Sequence, residues 1–154
     1  MKIHIFDTQK SLKILKPAIR KIVKTVIEHE NQLCAEVTVH FVDNAAMCQL
    51  HDDFFNDPSP TDCMSFPMDG ESEPERILGE IFVCPDTAIE YGKTHDIPAE
   101  RELTLYIIHG LLHLMGYDDI RVKDRALMRK AERRHVARVD ELGIALHVNN
   151  LLET

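Results

Sequence analysis

The chain has 154 residues, enough for one domain that buries roughly two-thirds of its unfolded surface without a disulfide or metal staple. Hydrophobic residues at 44% and charged residues at 29% exclude wholesale disorder, collagen-like repeats and low complexity. Lys and Arg number 18 against 26 Asp and Glu, and a net charge of -8 argues against wrapping nucleic acid by bulk charge alone.

No apolar run approaches the roughly 18 residues of a membrane span. The opening MKIHIFDTQK lacks the apolar core and small-residue cleavage site of a signal peptide, so a cytoplasmic protein is expected. Cys34, Cys48, Cys63 and Cys84 match neither CxxC redox chemistry nor paired zinc knuckles, and read as small hydrophobes. The charge is segregated. Lys10, Lys13, Lys16, Arg20, Lys21 and Lys24 stand without an acid among them, and residues 121 to 138 hold eight basic side chains against Asp124 and Glu132. Such faces are either simply solvated or a basic surface on an acidic protein.

Neither an internal repeat nor a linker interrupts the chain, and one domain over 1–154 is expected. IHIF (3 to 6) predicts a strand. Ser11 predicts the cap of a helix to about Glu30, with Pro17 unsuited to its interior. Ala35 to Val42 alternates as a half-buried strand, with Ala35, Val37, Val39 and Phe41 on one side. Asp43 and Asn44 cap a helix through Phe55, and NDPSP follows as a loop. CMSFPM (63 to 68) and ILGEIFVC (77 to 84) read as strands around an acidic loop, 69 to 75. Asp86 predicts the cap of a short helix through about His95. Pro98 opens a helix to Met115 that stops at Gly116, and a last amphipathic helix covers about 122 to 142. The order implies an α+β fold: one mixed, roughly four-stranded sheet packed with about five helices.

The chemistry concentrates in HGLLHLMGYDD, residues 109 to 119. His109 and His113 differ by about 40° around a helix axis and about 6 Å along it, so both imidazoles share one face and can share one metal ion. The surrounding Tyr106, Ile107, Ile108, Leu111, Leu112, Leu114 and Met115 make this a buried, central helix, where an unsatisfied polar group costs about 1–3 kcal/mol. On a straight helix Asp119 would point about 80° away. A glycine cap at Gly116 turns the chain back and lets Asp119 approach from the loop. Two histidines, one carboxylate and an open position resemble catalytic rather than structural zinc, although iron(II) also suits such a set. The competing readings are a satisfied core histidine pair and an Asp118–Asp119 N-cap for the last helix. Gly110 stands where HExxH proteases carry their general base, which disfavours peptide hydrolysis.

These residues resemble the YbeY family of metal-dependent endoribonucleases, whose signature is similar to HGxLHLxGYDH. PTDCMSFP (60 to 67) resembles its PTDVLSFP segment and LGEI (78 to 81) its LGDI segment, in family order. The resemblance implies a single-strand-specific endoribonuclease of ribosomal RNA maturation, at the 16S 3' end, and of ribosome quality control. It implies one zinc per chain held by His109, His113 and Asp119, with His109 and His113 catalytic. Ser65 and Phe66 would line the cleft; Lys13, Arg20, Lys24, Arg121 and Arg125 would contact RNA. The implied partners are ribosomal RNA and a small-subunit ribosomal protein, without membrane or DNA. Asp119 stands where the family has a third histidine, and Phe55 stands where it has an arginine, with Arg76 and Arg121 as substitutes to consider. Those departures keep two alternatives open: a weakly catalytic or non-catalytic ribosome-assembly factor, and a metal-dependent hydrolase of another substrate.

Overall fold

The computed structural model describes residues 1–70 and 73–145. Positions 71 and 72 of the predicted acidic loop, and the tail from 146, lie outside the described residues. The elements run in the order β1 (Lys2–Asp7), α1 (Lys16–His29), β2 (Glu36–Phe41), α2 (Asn44–Phe55), β3 (Cys63–Pro67), β4 (Ile77–Val83), α3 (Pro85–His95), α4 (Ala99–Leu114) and α5 (Val122–Glu141). The sheet order is β1-β2-β4-β3, with β1, β2 and β4 parallel and β3 antiparallel to β4. The fold is therefore α+β on one mixed sheet.

The alternation read in β2 decides which face is covered. Val37, Val39 and Phe41 join Ile5, Ile81 and Val83 beneath Ile19, Ile22, Val23 and Val26 of α1 and the apolar flank of α4. On the opposite face His40 stacks between Phe6 and Phe82, with centroids at 5.2 and 4.1 Å. A smaller cluster of Met47, Met64 and Cys84 ties α2 to the sheet. Helix α4 is apolar nearly all round because β3, β4, α1, α3 and α5 all pack on it.

Two helix starts differ from expectation. Helix α1 begins at Lys16 behind Leu15, not at Ser11, because Pro17 lacks the N–H that an interior position must donate and is tolerated only in the first turn. The side chain of Gln9 organises residues 9–12 instead, donating to Leu12 O at 2.7 Å and accepting from the Ser11 and Leu12 amides. Asp86 lies inside the first turn of α3, whose N-cap is Cys84; its carboxylate accepts from the Ser11 hydroxyl and, at 2.8 Å, from Asn44 N. Asp43 does cap α2, accepting from Ala46 N at 2.8 Å.

Helix α4 lies close against the sheet because of two glycines. A Cβ on Gly110 would come within 2.8 Å of Cys63 Sγ and 3.0 Å of Ile81 Cγ2. Gly79, at φ +145°, would place one 2.4 Å from Phe66 O and 2.9 Å from Leu114 Cδ2. Position 110 is therefore a packing contact, with no room for a glutamate. Among the described residues no helix is long and apolar enough to cross a membrane.

Candidate metal centre

The C-terminus of α4 ends in a Schellman turn. Tyr117 N donates to Leu112 O at 3.0 Å and Gly116 N to His113 O at 3.1 Å, with Gly116 at φ +100°. The returning loop is pinned by Asp118, whose carboxylate accepts from Asp119 N at 2.7 Å. The N-cap of α5 is Arg121, so neither Asp118 nor Asp119 caps that helix. Asp119 instead faces the two imidazoles.

Three donor atoms converge as a result. His109 Nε2 and His113 Nε2 are 3.1 Å apart, and Asp119 Oδ2 lies 3.6 and 3.4 Å from them. Tetrahedral zinc with bonds of about 2.0–2.1 Å spaces its ligand atoms by about 3.3 Å, so the set fits that ion. Among the described residues this is the one group of three or more His, Cys, Asp or Glu side chains that could hold a metal ion.

The far nitrogens fix the protonation pattern. His109 Nδ1 lies 2.7 Å from Glu132 Oε2, and His113 Nδ1 lies 3.0 Å from Tyr117 O. Both partners are acceptors, so each Nδ1 donates, and in that tautomer each Nε2 presents its lone pair toward the other ring and toward Asp119. Three such atoms facing one point are a donor set that could hold a metal ion. Glu132 is buried, and burial by itself would raise its carboxyl. The hydrogen bonds from His109 and Arg129 outweigh this and hold it below the usual carboxylate range. An ionised Glu132 fixes the orientation of the His109 ring through its Nδ1.

The donors open onto a cleft of about 420 Å³ lined also by His51, Phe55, Asp62, Cys63 and Ser65. Ser65 belongs there and donates to Gly110 O at 3.2 Å. Phe66 does not: adjacent residues of a strand point to opposite faces, and its ring meets Phe54 and Phe82 on the far side of the sheet. Phe55 is exposed and faces the cleft. Arg76 is no substitute for a guanidinium at position 55. It is buried and donates to Leu33 O and Gln32 Oε1. Lys13, Arg20, Lys24, Arg121 and Arg125 are exposed and line neither this cleft nor its neighbour. Burial pushes the Cys63 thiol up, so it stays protonated beside the centre, and all four cysteines are free.

Glu132 escaped the sequence reading although a signal existed. Met128, Ala131, Glu132, His135 and Val139 form the buried stripe of α5, and an acid on such a stripe demands a partner. His51, Asp62 and Arg129 carry no comparable mark.

A family profile described as Endoribonuclease YbeY matches residues 4–140. An Endoribonuclease YbeY of Protochlamydia amoebophila is 52% identical over 143 residues, covering 92% of this chain and 95% of its own. One from Chlamydia pneumoniae is 32% identical over 137 residues, covering 86% and 87%. The solution structure of TM1509 from Thermotoga maritima superposes with a TM-score of 0.62 at 31% identity, covering 89% of this chain and 88% of that one. With its metal-ligand geometry, its α+β frame and this extent of similarity, the chain belongs to the YbeY family of endoribonucleases.

Proposed function

We propose that the protein is a zinc-dependent endoribonuclease that cuts single-stranded RNA in ribosomal RNA maturation, at the 16S 3' end, and in ribosome quality control. In this reading the whole chain is one domain working in the cytoplasm on ribosomal RNA, alongside a small-subunit ribosomal protein. The observation that carries it is the pair of Nε2 lone pairs and the Asp119 oxygen aimed at one point from His109, His113 and the turned loop. His109, His113 and Asp119 would hold the zinc, which would supply Lewis acidity toward a phosphodiester and lower the pKa of a bound water. The protein holds the three donors at fixed spacing, with Glu132 and Tyr117 O orienting the rings and Ser65 fastening β3 to the metal helix. Asp119 lowers the net charge at the centre relative to a third histidine. Lys13, Arg20, Lys24, Arg121 and Arg125 are the proposed outer phosphate contacts.

Cleavage of a single-stranded oligoribonucleotide with the sequence of a 16S 3' end tests the reading. Zinc-loaded protein is expected to cut it, chelated protein and the His113→Ala variant to spare it. Equal cutting by all three overturns the assignment. A weakly catalytic assembly factor is the second reading, favoured by Phe55 presenting an apolar ring to the cleft.

A further inference from the structure

A second cleft of about 520 Å³ opens between α3, α4 and α5, and Asp62, His109 and Asp119 line both clefts. Its volume lies in the range of small-ligand sites. Arg129 is the one side chain on the described walls of either cleft that keeps its positive charge at any physiological pH. Its Nη1 donates to Glu132 Oε1 at 2.6 Å and Oε2 at 3.0 Å, and the side chain is still 55% exposed. The guanidinium is thus fastened at Nη1, while Nε and Nη2, the edge that forms a two-pronged fork, make no hydrogen bond among the described residues. Such a fork matches a pair of phosphate oxygens. Glu132 also holds His109, so Arg129 and the metal centre share one carboxylate.

Tyr91 lines the same cleft, 40% exposed, its ring stacked on His95 at 3.8 Å and 10°. A ring supported from one face is a platform for a base on the other. Asp62, Glu102, Asp119 and Glu132 on the same walls oppose a run of phosphates, and Arg129 is the one guanidinium there to offset a single phosphate.

We propose that this second cleft is a subsite for one nucleotide of single-stranded RNA, its phosphate gripped by Arg129 and its base stacked on Tyr91. The proposal rests on the endoribonuclease reading above. It is tested by the affinity of the zinc-loaded protein for a 2'-O-methyl oligoribonucleotide, followed by fluorescence anisotropy across a salt series, with zinc per chain measured in every variant. Arg129→Ala is expected to weaken binding about tenfold and to lower the slope of log K against log salt by about 0.7, the contribution of one phosphate on a single strand. Arg129→Lys recovers part of both. Tyr91→Leu weakens binding about fivefold or more and leaves the slope alone. Where Arg129→Ala loses its zinc, Arg129→Lys and Tyr91→Leu decide. Zinc-replete variants that bind like wild type overturn the subsite and leave the nuclease reading standing. Wild type that neither binds this oligonucleotide nor cuts its unmodified counterpart overturns both.

Discussion

His109 Nδ1 and Glu132 Oε2 lie 2.7 Å apart across 23 residues of sequence, a contact that decides which imidazole nitrogen faces the metal centre. Removing the charge while keeping the shape isolates that effect. Glu132→Gln is expected to lower zinc affinity about 10- to 100-fold, the usual range for a carboxylate supporting a metal-bound histidine. Glu132→Ala should cost more, because it also releases Arg129. Competition against a chromophoric chelator measures both; unchanged affinity would place the support elsewhere.

Residues 109–119 were legible in the sequence because their geometry is local. Helical spacing sets His109 beside His113, and one glycine sets the return of Asp119; neither depends on distant parts of the chain. The strands were legible for the same reason, since β2 alternates so strictly. Glu132, Tyr117 O and Phe66 depend on how α4, α5 and β3 meet. No local period encodes that meeting, and assigning Ser65 and Phe66 to one cleft overlooked the alternation of a strand. The late start of α1 turned on Pro17, which fits only a first turn, while the Gln9 side chain holds residues 9–12 in a non-helical turn ahead of it.

The three donors differ in how much else holds them. His109 and His113 stand on helix α4 and are held by Glu132 and by Tyr117 O, while Asp119 sits on a loop with its side chain 35% exposed. Elemental analysis of purified protein is expected to give near one zinc per chain. His109→Ala should lose most of it and Asp119→Ala only part, since water can replace a loop carboxylate more readily than an imidazole. Asp119→His should retain zinc and move the pH–rate profile toward lower pH, because a neutral ligand leaves more charge on the metal. Equal zinc content in wild type and both alanine variants would remove these residues from the site.

Close packing of α4 on the sheet makes a stability prediction with an internal comparison. Gly110→Ala gains helix propensity of about 1 kcal/mol, yet its methyl must displace Cys63 Sγ and Ile81, for a net loss of about 1–2 kcal/mol. Gly79→Ala should lose more, about 3 kcal/mol, because the obstacle is the Phe66 carbonyl and the backbone sits at φ +145°. Among the described residues Gly70 has nothing within 4 Å of its missing Cβ, and it is the neutral control. Urea denaturation ranks the three; a Gly79 variant as stable as the Gly70 variant would contradict the packing account.

His135 gives the fold a pH dependence of known sign. It is 1% exposed, its Nε2 lies 2.7 Å from Glu30 Oε2, and its Nδ1 has no hydrogen-bond partner among the described residues. Burial lowers its pKa below the usual 6.5, against the opposing pull of Glu30. The unfolded chain therefore takes up the proton first as pH falls. The stability contributed by the neutral ring is complete above 6.5 and is lost as pH drops through the lower, folded value. One proton bounds the slope at about 1.4 kcal/mol per pH unit. Melting temperatures from pH 7.5 to 5.5 should fall for wild type and fall less for His135→Gln, which cannot gain a proton. Parallel curves for the two proteins would exclude His135 as the source.

Phe55 decides between the two functional readings. Its exposed ring stands on the cleft wall, touching His51 at a centroid distance of 5.7 Å. Replacing it exposes no core, and Phe55→Arg should change stability by no more than about 0.5 kcal/mol. Position 55 lines the same cleft as His109, His113 and Asp119, so a guanidinium there would share the space in which negative charge grows on a phosphodiester under attack. A preorganised donor aimed at such charge is commonly worth about 10²–10³ in turnover. An exposed side chain with a free rotamer recovers a part of that, so a gain of about tenfold in kcat/KM on single-stranded RNA is expected, carried mostly by kcat. A gain shows that the centre is competent and limited by its missing cation. No gain, with zinc bound and RNA affinity intact, favours the assembly factor.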